Sequence, residues 1–122
     1  MATTKQDMDL TTGLSVLRDT DSDATSEANV NSGPATLYLV SADNTANASA
    51  KSYLKLWDAT APTVGTTAPD MIIPLPGGAT VTLAIPEGLA FLVGLSFATL
   101  TAGGTGGITG PTSDVSVVLV FS

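Results

Sequence analysis

The chain contains no cysteine and no histidine, and its only basic side chains are Lys5, Arg18, Lys51 and Lys55. Without cysteine there are no disulfides, and the redox compartment leaves no mark on the sequence. Without cysteine or histidine there is no zinc site of the usual ligands and no nucleophile–histidine pair. Four scattered cations cannot displace the counterions of a phosphate backbone, so nucleic acid is excluded as a partner. A net charge of −7 argues equally against an anionic membrane surface. No cofactor is expected, and no catalytic constellation points to an enzyme.

Long apolar runs are missing too. The most apolar stretch, residues 83–100, is broken by Pro86, Glu87, Gly88 and Gly94. A spanning helix needs roughly 20 apolar residues without a central charge, so this stretch reads as strand, turn at Pro86-Glu87-Gly88, and strand. The opening MATTKQDMDL has no basic region followed by an apolar one, unlike a secretory signal.

Charged residues make up only 12% of the 122 residues, about half the share of a typical soluble domain. Thr, Ser, Ala, Gly and Asn must therefore cover the surface, a composition that suits strands and turns better than helices. With a mean hydropathy of +0.35, such a chain is expected to bury surface against partners.

Along the chain, residues 1–12 read as a polar N-terminal arm and residues 13–122 as one domain. Strands are expected over 13–18, 36–40, 52–58, 71–75, 80–85, 88–91, 95–100 and 115–121, with 27–30 at best a short one. Pro74 puts the 71–75 strand at an edge or bulge, because proline cannot donate a ladder hydrogen bond. The last strand is apolar on both sides and reads as central. Residues 19–26 read as an acidic loop, 43–47 as a polar connection, 62–69 as a loop bounded by prolines and 101–111 as a flexible glycine-rich connection. No segment keeps a helical period. The fold class is all-β, a β-sandwich or jelly roll of about eight short antiparallel strands.

Three features invite a chemical reading. Asp19, Asp21 and Asp23 open like a calcium loop, but Ala24 and Val30 stand where an EF-hand needs glycine and glutamate. The remaining choice is another oxygen-ligated cation site or a solvated acidic loop. Asn47-Ala48-Ser49 matches an N-glycosylation acceptor. In the 52–58 strand, Leu54 and Leu56 point one way and Tyr53, Lys55 and Trp57 the other. Tyr53, Lys55 and Trp57 are therefore candidate interface residues, unless that side is a second buried face. Lys5 and Leu10, in the polar arm, complete the set.

Four stretches follow one another: YLKLWD at 53–58, ATAPTVGTT at 59–67, PDMIIPLPGG at 69–78 and GLAFLVGL at 88–95, followed after the glycine-rich loop by VSVVLVF. This pattern resembles a family of small structural proteins of tailed bacteriophages and covers about the last three-fifths of the chain. The N-terminal part matches it less clearly. The resemblance implies a β-sandwich on the virion. The expectation is a decoration, or cement, protein that binds the major capsid protein on the outer capsid surface, self-associating as a homotrimer. A second expectation is a glycan- or receptor-binding module of a head fibre or tail.

Overall fold

A computed structural model describes residues 3–9 and 13–122. Its elements are β1 (Thr3–Asp9), β2 (Leu14–Ser22), β3 (Ala35–Asp43), β4 (Ser52–Asp58), β5 (Met71–Leu75), β6 (Thr80–Phe91), β7 (Leu95–Leu100) and β8 (Val115–Phe121). They form a five-stranded sheet, β1-β2-β8-β3-β6, and a three-stranded sheet, β5-β4-β7. All pairings are antiparallel. The all-β sandwich expected from the sequence is the observed fold.

The strand order has a simple origin. β2 pairs with β8, β3 with β6 and β4 with β5, so the chain from β2 to β8 is one long hairpin. The missing rung is residues 23–30, which run beside β7. There Glu27 and Phe97 exchange backbone hydrogen bonds of 2.9 and 3.0 Å, and the amides of Thr99 and Val30 bond to the carbonyls of Asp23 and Leu95. Rolling that hairpin into two facing sheets produces the jelly roll. The 27–30 stretch contributes a single bridge rather than a strand.

Alternation decides which side chains meet in the middle. The inward rows of the larger sheet are Ser15–Phe121–Leu37–Leu89, Leu17–Leu119–Val40–Leu83 and Asp19–Val117–Ala42–Val81. From the smaller sheet, Leu54, Leu56, Leu75, Leu95 and Phe97 face them, all fully buried. Each such side chain contributes roughly 1.5–3 kcal/mol on burial. A buried hydroxyl pair, Ser22 Oγ and Thr99 Oγ at 2.8 Å, bridges the two sheets.

Three expectations are corrected. Part of the supposed arm is a strand, since β1 pairs along β2 from Thr3–Asp19 to Asp9–Leu14. Its polar side chains hid it, because an edge strand can satisfy its backbone without an apolar face. The acidic loop begins later than expected, since β2 runs on through Ser22. Pro86-Glu87-Gly88 is not a turn. Between Leu39–Ala84 and Leu37–Leu89 the register shifts, so these residues form a bulge inside the continuous β6. Gly88 sits there at φ 82, a conformation glycine adopts without strain. β5 is an edge strand, one of the two places Pro74 allows, and β8 lies in the middle of the larger sheet.

Candidate functional site

Tyr53, Lys55 and Trp57 do share the outer side of the smaller sheet, but that side is not open. Trp57 and Lys55 are each 1% exposed. Trp57 packs with Ala98 and Leu100 against Ala24, Ala59 and Val64. Its Nε1–H donates to the Thr67 carbonyl at 2.9 Å, so the loop between β4 and β5 folds back over the indole. Lys55 Nζ donates to the Gly104 carbonyl at 2.5 Å. Burial pushes its pKa below the usual lysine range. Tyr53 is half-buried. The glycine-rich loop lies against its ring: a Cβ on Gly103 would stand 3.1 Å from Tyr53 Cε1. Residues 101–111 therefore act as a cover, with small residues where the backbone approaches closely. Lys55 and Trp57 are removed from any exposed interface, and the glycan reading loses its aromatic platform. The alternation of β4 was legible in sequence. The two loops that cover it were not, because nothing local says where a loop folds.

The arm candidates divide. Lys5 lies in β1, with its backbone opposite Leu17. Leu10 lies outside the described residues.

The aspartates separate by environment. Asp19 is in an inward row and 1% exposed. One carboxylate oxygen accepts the Asp21 amide at 3.1 Å, while Oδ2 has no partner. Burial pushes its pKa up to about 7, and the nearby charges of Glu27 and Asp21 push the same way. Asp23 turns aside to accept the Thr25 amide at 2.8 Å. Glu27 accepts the Thr3 hydroxyl at 3.0 Å. Among the described residues no three carboxylates gather closely enough to hold a metal ion.

Asn47 is buried, with both ends of its amide engaged. Its Nδ2 donates to Asn44 Oδ1 and to the Ser113 carbonyl, and its Oδ1 accepts the Ser113 amide, each at 2.9 Å. Asn44 Nδ2 in turn reaches the carbonyls of Ala50 and Leu75 at 3.0 and 3.1 Å. The supposed polar connection is a clamp holding three loops, and in the folded chain Asn47 is no free glycan acceptor. A buried pair of amides carries no sequence signal beyond turn-prone residues.

The exposed apolar surface lies elsewhere. On the outer side of the larger sheet, the register aligns the buried Val16 with half-buried Val120 and Leu39 and exposed Ala84 and, beside that row, Arg18–Val118–Ser41–Thr82. Arg18 is the one charge in these two rows. At one end of the sandwich Leu92 and Val93 are 75% and 54% exposed. Asp58 fixes that turn by accepting the amides of Leu92, Val93 and Gly94 at 2.8–3.2 Å. Those hydrogen bonds, the Val93 one foremost, hold its carboxyl below the usual range. Neither feature was singled out from sequence, since both depend on which strands become neighbours.

No family model matches the chain, and no curated protein matches it. Among solved structures it is similar to one described as Bacillus endospore appendages that form a novel family of disulfide-linked pili. That match has 9% identity and a TM-score of 0.41, covering 98% of this chain and 86% of that one. It is also similar to Drosophila melanogaster CENP-C bound to CAL1, at 10% identity and a TM-score of 0.29. There 88% of this chain is covered, and it spans 62% of the other. Scores this low transfer neither protein's role.

Proposed function

We propose that this chain is a decoration protein of a tailed bacteriophage, binding the outer surface of the major capsid protein and stabilising the shell. The observation that carries the reading is the outer side of the larger sheet. Beside the buried Val16 of β2, it presents half-buried Val120 and Leu39 and exposed Ala84 in one row, and there is no carboxylate in the two central rows. A chain of net charge −7 that keeps acids out of these two rows has a strip suited to burial there. The resemblance of residues 53–121 to phage structural proteins supports a place on the virion, and the major capsid protein is the partner proposed. Stabilisation would follow from mass action, because a ligand that binds only the assembled shell favours it.

The test uses purified particles. Removing the protein should lower the temperature at which shells open, and adding it back should restore it. Val120→Lys, on the half-buried outer row, should fold yet fail to rebind. Shells equally stable with and without the protein would sink the cement role. Labelling confined to tails on intact particles would sink the capsid location.

A further inference from the structure

Each sheet edge in this sandwich is treated differently. The free side of β7 is occupied by residues 23–30. β5 is interrupted by Pro74, which has no amide hydrogen to offer. β1 carries Lys5, Asp7 and Asp9 in its sequence. β6 has none of these protections over Thr80–Ala84. It is paired on one side by β3, and among the described residues no strand lies on its other side. The sequence there, TVTLA, is uncharged and rich in strand-forming residues. Soluble proteins usually blunt such an edge with a charge, a proline or a covering loop. Here Pro86, Glu87 and the Gly88 bulge come only after it.

We propose that β6 pairs antiparallel with β6 of a second copy about a twofold axis at Thr82, joining the two larger sheets edge to edge. The occupant follows from the edge itself. A twofold axis perpendicular to the sheet keeps core side with core side, so only residues on the same side can oppose each other. Centred on Thr82, the pairing sets Val81 against Leu83 of the other copy, twice, on the core side. On the outer side it sets Thr80 against Ala84 and Thr82 against itself. Leu83 is 38% exposed and would be covered by that contact. No charge opposes a like charge, which matters for two chains of net charge −7. The Pro86 bulge lies beyond the paired stretch and ends it. Such an interface is isologous and closed, so it stops at two copies. It stands whether or not the chain coats a shell.

The absence of native cysteine makes the test direct. Thr82→Cys in the full chain should give a reducible covalent dimer on mild oxidation, because self-paired residues bring their Cα atoms within about 5.5 Å. Glu87→Cys, outside the paired stretch, should not. In sedimentation equilibrium the unmodified protein should be a dimer, and Leu83→Lys should be a monomer with an unchanged circular dichroism spectrum. A monomeric wild type at all concentrations would overturn the proposal. So would a trimer, or any oligomer indifferent to Leu83→Lys and not cross-linked through Thr82→Cys. Should Leu83→Lys fail to fold, the paired cysteine variants decide alone.

Discussion

Asp19 is the residue whose chemistry departs furthest from its neighbours. It occupies a core row opposite Val117, with one oxygen bonded to the Asp21 amide and the other unpartnered. Its folded pKa of about 7 lies above the ordinary 3.8, chiefly through burial. The unfolded chain therefore releases this proton first as pH rises, and folding must then bury a charge. The contribution to stability is complete below 3.8 and is lost as pH rises through about 7. Asp19→Asn keeps the oxygen that faces the Asp21 amide and never ionises. It should be more stable than wild type above the folded pKa, and its stability should vary less with pH between the two values. Denaturant titrations across that range would check this. Equal slopes for both proteins would mean that Asp19 stays ionised when folded. Lys55 has the opposite sign: its lowered pKa means stability gained as pH rises toward the ordinary lysine value of 10.5.

At the scale of elements, the bulge in β6 and the covers on β4 do comparable work. The bulge lets one strand follow β3 along its whole length while Pro86, Glu87 and Gly88 pass without a turn. Gly88→Ala tests it. A Cβ there would sit 2.4 Å from the Thr36 methyl, on a backbone already at φ 82. The expected loss is about 1–3 kcal/mol in denaturant unfolding, in line with strained left-handed positions. A loss below about 0.5 kcal/mol, the scatter of neutral surface changes, would mean the bulge relaxes freely. On β4, alternation alone would leave Lys55 and Trp57 wet. The Thr67 and Gly104 carbonyls instead accept their hydrogen bonds, which satisfies the polar atoms that burial would otherwise strand.

For the molecule as a whole, the rolled hairpin makes some strands dispensable and others not. β8 stands between β2 and β3, and its Val115, Val117, Leu119 and Phe121 are fully buried. β1 touches only β2 within its sheet. Deleting residues 115–122 should leave a chain that does not fold. Deleting residues 1–9 should leave one that still unfolds cooperatively, with a lower midpoint. Circular dichroism and thermal melts of the two truncations would show it. A cooperative transition in the first would contradict the central place of β8.

What could be read directly from the residues was what depends on near neighbours along the chain. Period-two alternation placed the strands and sorted Leu54 and Leu56 from Tyr53, Lys55 and Trp57. Proline marked β5 as an edge or a bulge, and the missing cysteine, histidine and clustered cations closed off whole classes of chemistry. What needed the folded chain was everything set by contacts far apart in sequence. Only the packing of residues 59–70 and 101–111 onto β4 turned an apparently wet side into a buried one. Only the β2–β8 register placed Asp19 in the core. Only the strand order left β6 as the unblocked edge and aligned Val16, Val120, Leu39 and Ala84. Local sequence determines which way a side chain points, and the tertiary fold decides what, if anything, lies there to meet it.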